Sequence, residues 1–308
     1  MPTNFPTGVN VFGMPVMPGG VPPSTGKVFF VSNRSGDSGS NGNDGLSSER
    51  PFSTLATAVA LCSSGRGDVI IVMPGHAETV TTTITPIAGS AIIGLGWGRN
   101  KPSFTGSGAI GVFTLSAANV FMRNIRVVGA SASVTAHIIL TGDDFICEDC
   151  EFTHNATPLL SIDVNSTGDR FVFRRCKWVG AAAGPDRCID LARDSGNNFL
   201  IEDCTAQYSV GSTDLDLAFI GGPAADRPGA GGIIDGLTVV GLAAAGAVVD
   251  FNSSTAETEG VVANVKWATV ADATIANTID LGGYGAIECY AVETGGERGV
   301  RLPAATGD

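Results

Sequence analysis

Four aspartates stand in one recurring setting along this chain: Asp163 in SIDV, Asp190 in CIDL, Asp250 in VVDF and Asp280 in TIDL. Each precedes an apolar residue that repeats in register, and the alternation of side chains along a strand turns it away from the interior. If Asp163 and Asp190 lie on neighbouring strands, they stand about 4.8 Å apart, close to the ~5–5.5 Å between the carboxyls of a retaining glycosidase. Arg187 lies three residues before Asp190 and Arg193 three after it, so Asp163, Asp190 and Arg193 form the candidate catalytic set. Against that chemistry, the nearby residues are Ile, Ala, Asn and Ser, which make no apolar pocket for an acid of raised pKa. Only three Trp and three Tyr are present to stack on sugar rings. The plainer expectation is four solvated or interface acids in two pairs, with Phe219 at the equivalent position between them.

Other groups invite chemistry less. His76 and Glu78 in PGHAE have the types for acid–base work, but Pro74-Gly75 marks a corner whose side chains are expected to face water. His137 and His154 stand apart in the sequence, and no Ser-His-Asp arrangement is legible. Cys147 and Cys150 make a CxxC without the second pair that a zinc site needs. Asp37, Asn41, Asn43 and Asp44 offer oxygen ligands for calcium, yet a bidentate Glu at the required spacing is missing and a turn cluster is the simpler reading. No metal or cofactor is expected.

The elements that position these residues come from two interleaved repeats. NVFMRNIRVVG, DFICEDCEFTH, RFVFRRCKWVG, NFLIEDCTAQY, GGIIDGLTVVG, EGVVANVKWAT and YGAIECYAVET align Ile125, Cys150, Cys176, Cys204, Leu237, Val265 and Tyr290, at spacings from 25 to 33 residues. Between them a second line aligns Leu115, Leu140, Val164, Leu191, Ile220, Phe251 and Leu281. A period of 20 to 50 residues built from short strands and Gly, Asn, Asp and Ser corners means one coil per period. The fold class is therefore all-β, a single-stranded parallel β-helix. Ile125, Cys150, Cys176, Cys204, Leu237 and Val265 are its core stack, in which a thiol packs as a small hydrophobe.

Composition agrees. Gly 42, 7% aromatic and 16% charged residues suit stacked coils with small corner residues. A net charge of −12 supplies no basic stripe for phosphates, so a nucleic-acid partner is not expected. No apolar run reaches the ~18 residues of a membrane-spanning helix, so membrane insertion is not expected. The opening MPTNFPTGVNVFGMPVMP lacks a basic segment before an apolar core, and the odd cysteine count fits a reducing compartment, so synthesis is expected to end in a cytoplasm.

Three parts follow. Residues 1–26 form an extended Pro- and Gly-rich arm whose Phe5, Val9, Phe12, Met14, Val16 and Met17 seek a surface, on a partner or on the chain's own solenoid. Residues 27–65 hold a strand, a turn-rich loop and a helix over FSTLATAVALC, N-capped by Ser53, that covers the open end of the solenoid. Residues 66–308 are the coils.

At this point the chain resembles a family. GSNGNDGLSSERPFSTLATAVALC, then GRGDVIIVMPGHAETV and IIGLGWGRNKPSFT, is similar to the opening of pectate-lyase-like right-handed β-helix proteins. MPTNFPTGVNVFGMPV further resembles β-helix proteins encoded among the virion structural genes of tailed bacteriophages. The resemblance implies a structural virion protein, a capsid decoration protein attached to the major capsid protein or another virion protein, made in the host bacterial cytoplasm. The alternative it implies is a tailspike-like polysaccharide lyase or glycoside hydrolase acting on a host surface glycan.

Charge patterning favours assembly over turnover. Arg123, Glu148, Arg174 and Glu202 alternate in sign from coil to coil, as do Arg126, Glu151 and Lys177, and such ladders pin register. The later coils carry small neutral residues suited to packing against copies of the chain, and a homotrimer is expected.

Overall fold

The computed structural model describes residues 9–11, 14–16, 26–129, 136–154, 160–164, 168–180, 187–191, 197–208, 218–221, 230–242, 247–250, 260–269, 279–280, 285–287, 290–292 and 300–301. Their strands assemble into three long sheets, of 10, 7 and 10 strands. Face one runs from Val28–Val31 to Gly285–Ile287, face two from Ala77–Val80 to Val300–Arg301, and face three from Phe113–Leu115 to Ile279–Asp280. Apart from the terminal strand Val300–Arg301, the pairings within these faces are parallel. The chain visits the three faces in turn, which makes it a parallel β-solenoid.

The corner between faces one and two shows how sequence sets this shape. Asn124, Asp149, Arg175, Asp203, Gly236 and Asn264 all have positive φ, between 51° and 72°. One left-handed residue redirects the chain, and the next side chain then points inward. Those next residues are Ile125, Cys150, Cys176, Cys204, Leu237 and Val265, and all six are buried. Asn, Asp and Gly tolerate the left-handed well at little cost, whereas Arg175 accepts it within a network of ion pairs.

The core is built of further columns one strand spacing apart. On face one, Met122, Cys147, Phe173, Ile201, Ile234 and Val262 stack in register and are buried. On face two, Phe152 lies on Trp178 with ring centroids 4.8 Å apart, and Trp178 meets Phe219 of face three edge-on at 5.0 Å. Each such side chain, fully removed from water, contributes roughly 1.5–3 kcal/mol.

Two expected alignments differ. Tyr290 pairs with Lys266, one residue beyond Val265, and Ile220 pairs with Ile189 rather than Leu191. The second shift leaves inward residues inward, because a slip of two preserves the alternation of a strand.

The cap is a helix, Leu55–Ala60, that buries Leu55, Ala58 and Val59 against the first strands of face one. Its N-cap is Thr54, not Ser53, and Thr54 makes no side-chain cap bond. Asn41 Oδ1 instead accepts the Ser53 and Thr54 amides, at 3.1 and 3.2 Å. Within the arm, Val9–Val11 and Met14–Val16 pair as an antiparallel hairpin, with Val9 opposite Val16 and Pro15 opposite Asn10. Both strands of a two-stranded ribbon are edges, which is where proline is tolerated. Phe5, Phe12 and Met17 lie outside the described residues.

Candidate functional site

Face three carries the acids. The register sets Asp163 opposite Asp190, Asp190 opposite Gly221, Gly221 opposite Asp250 and Asp250 opposite Asp280. The residue between the two acidic pairs is thus Gly221, and Phe219 is buried in the core. Of the four acids, the described side chain is that of Asp190. It was expected in water and is instead 8% exposed. Ile189 and Leu191 fill the interior on either side of it, so Asp190 keeps its outward direction and is covered there.

Arg187, at the start of the same strand, Arg187–Leu191, donates from Nη1 to Asp190 Oδ1 at 3.1 Å. Arg187 Nε is buried and has no partner among the described residues. A buried donor without an acceptor costs about 1–3 kcal/mol. Sequence reasoning placed Arg187 beside Asp190 but chose Arg193, which lies outside the described residues.

Two histidine groups sit elsewhere, and neither faces water. His76 is 1% exposed and Glu78 is buried beside it, bound to the N-terminus of the cap helix. The expected solvent-facing corner is therefore a structural joint. His137 and His154, distant in sequence, are brought together inside the solenoid with ring centroids 6.3 Å apart. Tyr208 lies 6.2 Å from His154 and its hydroxyl is 3.0 Å from Cys188 Sγ.

The cysteines behave as core. Cys147 and Cys150 are buried, with Cys147 Sγ 3.8 Å from Cys176 Sγ. Burial first, then the neighbouring thiols, pushes the Cys147 thiol well above its ordinary value. Among the described residues no group of three or more His, Cys, Asp or Glu is placed to hold a metal ion. In the loop, Asp37 accepts from Ser32 Oγ at 2.6 Å, Asp44 from the Leu46 amide, and Asn43 donates to two carbonyls. These side chains stabilise turns.

The outside of face one is a charged lattice. Arg174 pairs with Glu148 at 3.0 Å and also with Glu202, Arg175 pairs with Asp149 at 2.8 Å, and Arg170 with Asp144 at 2.7 Å. Arg126 joins Glu151 on face two at 3.0 Å. Hydrogen bonds from Arg175 hold the Asp149 carboxyl below its ordinary range, and Arg170 does the same for Asp144. The Arg123 side chain reaches diagonally to Asp149, at 3.3 Å, which straight columns in the sequence did not reveal.

No protein-family model and no curated protein matches the chain. Solved structures do. An alginate lyase from Paenibacillus sp. str. FPU-7 is similar with a TM-score of 0.53 at 12% identity, over 70% of this chain and 73% of that one. A rhamnogalacturonan lyase gives a TM-score of 0.50 at 16% identity, over 80% and 69%. Pectin methylesterase PemA from Erwinia chrysanthemi gives 0.50 at 14%, over 84% and 80%. At these identities the likeness is one of fold, and the fold this chain shares with these polysaccharide-acting enzymes is the parallel β-helix.

Proposed function

We propose that this β-helix is directed at a polysaccharide, held across the outer surface of face three. The observation that carries the reading is Arg187. Its Nη1 is engaged by Asp190 at 3.1 Å while its buried Nε has no acceptor among the described residues, and a sugar oxygen would satisfy it. Asp163 stands opposite Asp190 in the register, one strand spacing of about 4.8 Å away. That spacing suits the paired carboxylates of a retaining hydrolase, with Asp190, its charge met by Arg187, as nucleophile and Asp163 as acid. A net charge of −12 repels polyanions, so a neutral glycan is the favoured substrate class.

The fold likeness to two lyases and an esterase of polysaccharides supports the same direction without fixing the reaction. The test is incubation of the full chain with neutral and uronate-containing polysaccharides, reading new reducing ends and unsaturated products separately. Reducing ends released from a neutral glycan and lost in Asp190→Asn are the expected result. Neither binding nor release across the panel overturns the reading.

A second reading is favoured by the lattice of alternating charges, which fixes register and does no chemistry. It takes the chain as a structural virion part, a capsid decoration protein fastened through residues 1–26. Co-sedimentation of the full chain, but not of a chain lacking residues 1–26, with capsids is its test.

A further inference from the structure

The outer surface of face one carries an apolar row that the glycan reading leaves unused. Phe121, Ile146, Val172 and Leu200 are successive partners in the register, and they point away from an interior filled by Met122, Cys147, Phe173 and Ile201. Ile146 is 36% exposed, and the row continues to Ile233, which is 44% exposed. At its other end Phe121 packs against a buried outer cluster of Val69, Ile71, Ala91 and Ile93. Contiguous apolar side chains on an outward sheet face mark an interaction surface.

Three polar rows flank it, and their order selects the partner. Coil by coil, the row two residues before the apolar one reads Asn119, Asp144, Arg170, Asn198. The row two residues after it reads Arg123, Glu148, Arg174, Glu202, and the corner row reads Asn124, Asp149, Arg175, Asp203. Consider a second copy turned over about a two-fold axis that lies along the strands, midway between the coils of Ile146 and Val172. Every row then meets itself in reverse order. Asp144 faces Arg170, Glu148 faces Arg174, Asp149 faces Arg175 and Arg123 faces Glu202. Ile146 meets Val172 and Phe121 meets Leu200, over a groove of about 320 Å³ that Phe121, Ile146 and Val172 help to line.

Other arrangements put like charges together. An axis centred on the Val172 coil sets Arg174 against Arg174 and Glu148 against Glu202. Parallel copies about an axis along the solenoid set Glu148 against Asp144 and Arg174 against Arg170. Like charges in contact are strongly disfavoured at an interface.

We propose that face one is an isologous interface through which two copies of this chain dimerise with their solenoids antiparallel. The partner is a second copy because the four-coil block is complementary to its own reversal, with no other chain needed. Four coils at about 4.8 Å by six residues at about 3.3 Å give a few hundred Å² per copy, the size of a weak, reversible contact. The dimer is two-fold, in place of the three-fold assembly expected from the later coils, and it is independent of any activity on face three.

Sedimentation velocity on the full chain, from about 1 to 200 μM, reads it as a concentration-dependent monomer–dimer equilibrium. Ile146→Glu is expected to weaken association at least about tenfold, the factor worth 1.4 kcal/mol. Glu148→Arg, which now faces Arg174, is expected to do the same. The double exchange Glu148→Arg with Arg174→Glu restores the facing pairs and is expected to restore the dimer, although it disturbs the ladder within each chain. Circular dichroism establishes that each variant is folded; if Ile146→Glu is not, the charge variants decide. A wild-type chain that stays monomeric throughout, a trimer, or folded variants that associate as the wild type does would each overturn the proposal.

Discussion

His76 Nε2 lies 3.0 Å from Glu78 Oε2, and the same carboxylate oxygen accepts the Leu55 amide at 2.8 Å. The Asn33 amide donates to His76 Nδ1 at 3.1 Å, so Nε2 carries the ring proton and donates it to Glu78. One chain of hydrogen bonds therefore ties the segment just after the strand Val28–Val31, the corner at His76 and the N-terminus of the cap helix. Glu78→Ala strips an acceptor from two buried donors and is expected to cost about 1–3 kcal/mol. Glu78→Gln keeps an oxygen in place and is expected to recover most of it. Urea midpoints for the two variants check this; an unchanged midpoint for Glu78→Ala would contradict the joint.

Acid should destabilise the solenoid through its inner histidines. Burial pushes His137 down to about 4, and burial, then the neighbouring His137, pushes His154 down to about 3 against a bond to the Val179 carbonyl. The folded values lie below the ordinary ~6.5, so between the two the unfolded chain binds more protons. The contribution of these two histidines is flat above about pH 6.5 and falls as the pH drops towards 4, by up to about 1.4 kcal/mol per unit for each histidine. Urea unfolding at several pH values should show this slope, and His154→Phe should reduce it.

The thiols should be silent in the folded protein. Cys147, Cys150, Cys176, Cys188 and Cys204 are buried and unpaired as disulfides. Burial, then the charge of Asp68, pushes the half-buried Cys62 up to about 12 despite Arg66. The five buried thiols are out of a reagent's reach, and Cys62 holds little of the reactive thiolate at pH 8, so these six should react with a disulfide reagent far more slowly in the folded chain than in denaturant. Two or more thiols released per chain within seconds, without denaturant, would count against the packing.

How much of this was legible follows from the period of a strand. The repeat placed Cys150, Cys176 and Cys204 on one buried line because each follows a corner residue at the same offset. It misplaced Ile220 by two, since alternation cannot detect an even slip, and Tyr290 by one, where YGAIECYAVET offers apolar residues on both sides of Glu288. The burial of His76 and Glu78 was hidden because their partner, the Leu55 amide, is 23 residues away on a helix whose docking no local pattern states. Asp190 was expected in water and is buried. Whether an outward residue is covered depends on what lies over the sheet.

A close approach of successive coils lies at Gly94. A Cβ at Gly94 would lie 2.2 Å from the Asn124 carbonyl oxygen and 3.0 Å from its carbon, backbone atoms of the next coil that cannot rotate away. The same corner is held by Asn124 Nδ2, which donates to the Gly94 and Gly96 carbonyls at 2.8 Å each. Gly94→Ala must therefore separate the coils or break these bonds, and is expected to cost about 2 kcal/mol or more. Gly42 is the control: its nearest neighbour to an added Cβ is Ser40 Oγ at 3.6 Å, an ordinary contact. There alanine only narrows the unfolded ensemble, so Gly42→Ala should be neutral or up to about 1 kcal/mol stabilising. Thermal unfolding of the two variants beside the parent separates a collision between coils from the general cost of replacing glycine, and equal shifts would show that the coils do not meet at Gly94.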